Sequence, residues 1–284
     1  MSFEGKVFIL TGGLRGIGLQ ICQALQSKNA TVVIIGSSIE NSISALKSRG
    51  LDTALVSYHS CDLRNDHEIE DSIDSIYKKY GAIDAIIHNA AVINAASSID
   101  ISTSALDLMY QINARAAWLL VKYSFEFLNE SSIKQVIGIC PPINLDPSFL
   151  GSHLPYVATR YLAGMLFSGM AVENPSLRIN TLWPKTSIDA SDICNIISGS
   201  YEDMSKHHRT PQIMADACLC LIENQAFGQT GECFIDEEVL RSADINSFDK
   251  YELKPKAEAE KTAIFSYGEE NSQDEEEDED PFNK

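Results

Sequence analysis

The sequence has no C-x-x-C pair and an odd number of cysteines, seven. That argues against a zinc ribbon or a disulfide framework, so Cys22, Cys61, Cys140, Cys194, Cys218, Cys220 and Cys233 are expected to be reduced, mostly as small core residues. Cys218 and Cys220 do not share a helix face at their spacing, and no metal site is expected. No run approaches the roughly 18 apolar residues of a membrane span. Basic residues are scarce, 22 Lys and Arg against 40 Asp and Glu, and the formal charge of −18 would repel nucleic acid. The start, MSFEGKVFILTGG, lacks the pattern of a secretory or transit segment, and the terminal PFNK is not a peroxisomal signal. A cytoplasmic protein is therefore expected.

What is present is alternation. Strand-like runs at Lys6–Thr11, Thr31–Ile35, Ala54–Tyr58, Ala85–His88, Gln135–Cys140, Arg178–Leu182 and Glu232–Ile235 are separated by helical patterns. The clearest helices are Ile17–Gln26, Glu68–Tyr80, Ala105–Phe127, Tyr156–Val172 and Pro211–Asn224. Continuous apolar strands between helices predict an α/β fold, a doubly wound parallel sheet of about seven strands covered on both faces. One domain is expected over 1–250. A mobile tail is expected over 251–284, carrying the acidic run EENSQDEEEDED at 269–280. Such a tail either aids solubility or offers a handle to a basic partner.

The segment TGGLRGIG (11–18) lies between the first strand and the first helix. Glycines there allow a sharp turn and let a pyrophosphate approach backbone N–H groups at a helix start, which implicates Thr11, Gly12, Arg15, Gly16, Ile17 and Gly18. The Gly-x-x-x-Gly-x-Gly spacing resembles the short-chain dehydrogenase/reductase family, and the likeness runs along the body. His88-Asn89-Ala90-Ala91 stands where that family has Asn-Asn-Ala-Gly, placing Asn89 and Ala90 beside the cofactor. Asp62 matches an aspartate that contacts adenine, and Asn113 in QINARAA matches an asparagine holding a relay water. Tyr156 and Arg160 fall on the Tyr-x-x-x-Lys pair, and Pro184 with Thr186 on a segment touching the nicotinamide amide. The strings CPPINLDP (140–147), LWPKTSI (182–188), MADACLCLIE (214–223) and TGECFIDEEVL (230–240) are similar to a hydroxysteroid dehydrogenase-like subgroup, in its dehydrogenase part alone.

The resemblance implies a nicotinamide cofactor. An acidic residue closing the second strand would bind the ribose hydroxyl of NAD. Here Ile35-Gly36-Ser37-Ser38 follows, with no carboxylate before Glu40. Arg15 and Ser37 are placed to meet a 2′-phosphate, so NADP(H) is favoured over NAD(H); a solvated loop charge is the other reading of Arg15.

The resemblance also implies interconversion of an alcohol and a carbonyl on a small apolar or lipid-like substrate, with dimers or tetramers formed through the helices of Asn113 and Tyr156. A tyrosine releases its proton near neutral pH only when a neighbouring cation stabilises the phenolate. Spacing i, i+4 puts Tyr156 and Arg160 on one helix face. Arginine keeps the charge but is bulkier than lysine and orients its donors differently. Cys140 stands where the family has a carbonyl-polarising serine, and a thiol is a weak donor; Asn144 and Ser148 are possible substitutes. The bland alternatives are a packed core aromatic for Tyr156, a helix-kink role for Asn113 and a surface or interface charge for Arg160. Residues 189–208 are expected to form a substrate cap, with His207, His208 and Arg209 solvated. A slow oxidoreductase or a cofactor-binding pseudoenzyme with an acidic interaction tail both fit. The family resemblance also allows a mitochondrial or peroxisomal address, although no signal is visible.

Overall fold

The structure is a computed structural model that describes residues 1–37, 43–151, 153–186, 188 and 209–252, without the side chains of Ser148, Phe149 and Gln225. Ser38, Glu40, Cys194, the expected cap with His207 and His208, and the acidic run lie outside the described residues.

Each strand of the sheet is short and apolar: β1 (Val7–Thr11), β2 (Thr31–Gly36), β3 (Val56–Ser60), β4 (Ala85–His88), β5 (Gln135–Gly138), β6 (Arg178–Trp183) and β7 (Cys233–Ile235). They pair in the order β3-β2-β1-β4-β5-β6-β7, all parallel. Side chains alternate between faces, as the two-residue period of a strand dictates. In β1, Phe8 and Leu10 join one core with Leu25, Ile34, Met214 and Leu221. Val7 and Ile9 join the other with Ile73, Leu120, Phe167 and Ile179. Two buried faces explain why the strands read as continuous apolar runs.

The helices are α1 (Gly16–Ser27), α2 (Ile43–Ser48), α3 (Asp66–Tyr80), α4 (Thr103–Met109), α5 (Ala116–Glu130), α6 (Pro147–Gly151), α7 (Leu154–Glu173), α8 (Gln212–Glu223) and α9 (Asp236–Ser242). In α3, Ile69, Ser72, Ile73 and Ile76 form the buried stripe. Asn65 caps its start by accepting from the N–H groups of His67 and Glu68, and Gly81 ends it in the left-handed conformation at φ 74°.

Two sequence expectations need correction. The single helix over Ala105–Phe127 is α4 and α5 joined by a π-helical segment, Tyr110–Arg115, where one wide turn changes the face presented to the sheet. The strand Gln135–Cys140 stops at Gly138: Ile139 N–H still donates to the His88 carbonyl, but Cys140 N–H folds back to Gly138. Both departures lie at the carboxyl end of the sheet. The short helices α2, α6 and α9 went unread, since five to seven residues carry too few turns to show a period.

Gly138 is a packing constraint. A Cβ there would come within 2.2 Å of the Phe167 ring. That ring is 1% exposed and has nowhere to move. Gly138→Ala is expected to destabilise the fold by about 1–3 kcal/mol through overpacking, read as a lowered thermal midpoint.

Candidate active site

The glycine loop is built from both sides. Gly12 (φ 68°) and Gly16 (φ 53°) adopt backbone conformations that other residues resist. A Cβ on Gly18 would lie 2.1 Å from the Gly12 carbonyl and 2.5 Å from Asn89 Nδ2, so this glycine seats α1 on the loop. The N-cap residue, Arg15, is extended and exposed, and no side chain caps the helix. The leading N–H groups of α1, from Gly16 to Gly18, lack acceptors within the helix, as at any helix start, and half-buried Ile17 stands among them. An uncapped helix start beside a tight glycine turn suits a phosphate.

The loop is tied to the next strand. Thr11, fully buried, accepts at Oγ1 from the N–H groups of Asn89 (3.1 Å) and Ala90 (3.0 Å). Asn89 Nδ2 donates in turn to the carbonyls of Thr11 (3.3 Å) and Gly12 (3.0 Å). Thr11 thus braces the site from inside. At the far end, β2 closes with Gly36, whose carbonyl accepts from the Tyr58 hydroxyl, and exposed Ser37 follows. Asp62 is gripped by Arg64, whose Nε donates to both carboxylate oxygens at 2.9 Å. The Arg64 bonds hold the Asp62 carboxyl below its usual range.

Asn113 lies inside the π segment and is fully buried. Its Oδ1 accepts from Val92 N–H (2.7 Å), and its Nδ2 donates to the Val92 carbonyl and to Thr159 Oγ1, both at 2.9 Å. Thr159 then donates to the Tyr156 carbonyl at 2.8 Å. The asparagine side chain therefore joins the loop after β4 to α7.

Tyr156 and Arg160 occupy the first turns of α7, 8% and 2% exposed. A surface-charge reading of Arg160 is overturned by that burial. Its Nε and Nη1 find no acceptor among the described residues. Cys140 is also buried, and burial pushes its thiol up to about 11, against the lowering influence of the Arg160 charge. Burial thus favours the protonated thiol over the nucleophilic thiolate. Asn144 is pinned by the Tyr161 hydroxyl, which contacts both its N–H and its carbonyl, and its own Oδ1 accepts from Asp146 N–H. The Ser148 side chain is outside the described residues.

Half-buried Pro184 leads to Lys185, whose N–H donates to Asp236 Oδ1 at 2.9 Å; Thr186 Oγ1 is buried without a partner among the described residues. Glu237 gathers Lys185, Arg209 and Arg241 at 3.4–3.7 Å. Arg209, expected in solvent, is instead 19% exposed and also pairs with Glu252 at 3.0 Å. Asp236 and Glu237 were missed as anchors of this segment; acids directly after the last strand were the available signal. Among the described residues no group of three or more His, Cys, Asp or Glu could hold a metal.

His88 was read only as a motif position, yet it is central. It is fully buried, and its Nδ1 meets Thr11 Oγ1 at 3.2 Å. Burial first, then the Arg160 charge, lower its pKa to about 3. Unfolded histidine, near 6.5, binds a proton that the folded ring refuses between those values, so stability rises with pH across that window. Lowering the pH from 6.5 to 5 is expected to cost about 1–2 kcal/mol from this residue alone. Urea unfolding at both values, repeated with His88→Asn, checks it: the variant should lose that part of the pH dependence.

The family model for short chain dehydrogenase matches residues 6–186. Hydroxysteroid dehydrogenase-like protein 2 of Danio rerio is 30% identical over 268 residues, covering 89% of this chain and 62% of that protein. The human protein of the same name is 29% identical over 266 residues, covering 88% and 61%. The chain thus spans about three fifths of these curated relatives' length. A crystal structure of a short chain dehydrogenase from Mycobacterium thermoresistibile is also similar, with TM-score 0.77 and 25% identity over 88% of this chain and 91% of that one. The match over most of the body, together with the parallel sheet and the glycine loop, places the chain in the short-chain dehydrogenase/reductase family.

Proposed function

We propose that the chain is an NADP(H)-dependent oxidoreductase that interconverts an alcohol and a carbonyl on an apolar or lipid-like substrate. Family membership implies a nicotinamide dinucleotide cofactor, and the residues present fit one. The α1 start is uncapped, the glycine loop is locked open by Thr11 and Asn89, and Arg160 carries donors without acceptors among the described residues. The preference for NADP(H) rests on Gly36 and Ser37 at the β2 end, where a carboxylate would repel the 2′-phosphate, with Arg15 exposed on the loop.

The observation that carries the reading is Tyr156 and Arg160 buried on one face of α7 with no carboxylate paired to the guanidinium among the described residues. When bound, the cofactor supplies or accepts the hydride. Tyr156 Oη gives its proton to the substrate oxygen during reduction and takes it back during oxidation. Arg160 stabilises the phenolate left behind. It cannot pass the proton onward, because a guanidinium does not deprotonate in proteins. Cys140 offers a weak thiol donor where a hydroxyl would polarise the carbonyl, and losing such a donor typically lowers rates by about 10²–10³. Turnover is therefore slow. Exposed Ile143 and Leu145, between β5 and α6, and Leu154, at the start of α7, supply an apolar rim for substrate.

A second reading, a cofactor-binding pseudoenzyme or scaffold, is favoured by the same two positions, Cys140 and Arg160. Exposed Trp118, Met165 and Val172 suit a second copy against α5 and α7, and Tyr110, Arg115, Trp118, Leu162 and Leu166 line an apolar groove of about 300 Å³ there. Among the described residues no helix is long and apolar enough to cross a membrane.

Fluorescence titration is expected to give tighter binding of NADPH than of NADH. Over a panel of apolar carbonyls, slow NADPH consumption is expected, lowered at least about 10²-fold by Tyr156→Phe. Binding without turnover in the wild type, with turnover appearing only in Cys140→Ser/Arg160→Lys, would overturn the enzyme reading in favour of the scaffold.

A further inference from the structure

Gly36 closes β2, the place where an acidic side chain would bind a ribose hydroxyl, and it has no side chain to offer. Tyr58, on β3, reaches that place instead. In the strand register Tyr58 stands opposite Ile34, two residues earlier on β2. Its ring packs against the core on the α1 face of the sheet, and its hydroxyl runs on to the carboxyl edge, where it donates to the Gly36 carbonyl. A Cβ on Gly36 would lie 3.3 Å from that hydroxyl, and no other described atom beyond the adjoining residues comes within 4 Å of it. The phenol oxygen thus stands where an acidic side chain at this position would begin.

The Gly36 carbonyl can spare this bond. It also accepts from Cys61 N–H at 3.0 Å, so it keeps a partner when the hydroxyl turns elsewhere. A phenol both donates and accepts, and its proton turns about the C–O bond while the half-buried ring stays seated. The charges around the strand end suit an anion. Arg49, directly after α2, lays its guanidinium against the glycine loop: Nε donates to the Leu14 carbonyl, one residue before Arg15, and Nη1 to the Ala45 carbonyl, both at 2.9 Å. Asp62, just beyond β3, brings a carboxylate, but Arg64 is paired with it.

We propose that Tyr58 is a specificity-determining residue for the cofactor, its hydroxyl turning from the Gly36 carbonyl to donate to the 2′-phosphate of NADP(H). The proposal rests on the NADP(H) reading above and adds to it a residue from β3. An ionised phosphate presents acceptors to the protein, so it calls for donors. A phenol proton answers that call, whereas a carboxylate at the strand end would repel the phosphate. Hydrogen bonds to charged groups are stronger than neutral ones, so a single donor shifts the balance between the two coenzymes. A ribose 2′-hydroxyl carries no charge and gains less from the same group. One oxygen thus fills the space an acid would need and supplies the donor that replaces it.

The full chain and its Tyr58→Phe variant are titrated with NADPH and NADH by fluorescence, and with adenosine 2′,5′-bisphosphate and 5′-AMP by calorimetry. The last two carry no nicotinamide, so the result does not depend on Tyr156, Arg160 or turnover. The substitution deletes one oxygen and leaves the Gly36 carbonyl its bond from Cys61, so the variant should stay folded, as circular dichroism checks. Tyr58→Phe should raise the dissociation constants of NADPH and the bisphosphate about tenfold, the loss of one hydrogen bond to a charged group, and leave those of NADH and 5′-AMP unchanged. Equal weakening of both members of a pair, weakening confined to NADH and 5′-AMP, or no change beside a wild type that prefers NADPH would overturn the role of Tyr58 alone. A wild type that binds NADH as tightly as NADPH would overturn the NADP(H) reading and this role with it.

Discussion

The hydroxyl of Thr11 holds the carboxyl ends of β1 and β4 in register, and the rest of the site depends on it. Its accepted bonds from Asn89 and Ala90 set the path of the loop after β4. Asn89 can then reach back to the carbonyls of Thr11 and Gly12 and hold the glycine turn open. The same hydroxyl meets His88 Nδ1 at 3.2 Å. One buried oxygen therefore links the phosphate-facing loop to the charged interior of the site. A buried group with every donor and acceptor matched is stiff, because each alternative arrangement leaves something unpaired.

A second brace works from the helical side. The π segment turns Asn113 inward, where its amide joins Val92 to Thr159, and Thr159 holds the Tyr156 carbonyl. Tyr156 is thus positioned through its backbone. The departures at 88, 140 and 160 from the residues the family resemblance leads one to expect converge in this interior. Arg160 influences both His88 and Cys140, so the larger, permanently charged side chain cannot be judged as an isolated exchange for lysine.

Much of the architecture was legible in the chain. The strand Ala85–His88 is read to its boundaries, and the others to within two residues at each end, since continuous β-branched and apolar runs have few alternatives in an α/β pattern. The glycine loop and the Tyr156–Arg160 spacing were legible for similar reasons, because local backbone geometry limits what such strings can do. Illegible were the π segment, whose six residues are too few to show a period of their own, and the roles of Asp236 and Glu237, which depend on Lys185 and Arg209 arriving from other parts of the chain.

The sequence alone determined a doubly wound parallel sheet with a phosphate-suited turn after its first strand, because hydrophobic period and glycine placement are local properties. Only the tertiary structure decided that Arg160 is sealed inside, that His88 is buried against Thr11, and that Arg209 is half-buried in an ion-pair hub. Burial and hydrogen-bond partnership are set by residues from separate strands and helices meeting at the carboxyl edge of the sheet. No stretch of chain read by itself contains that information.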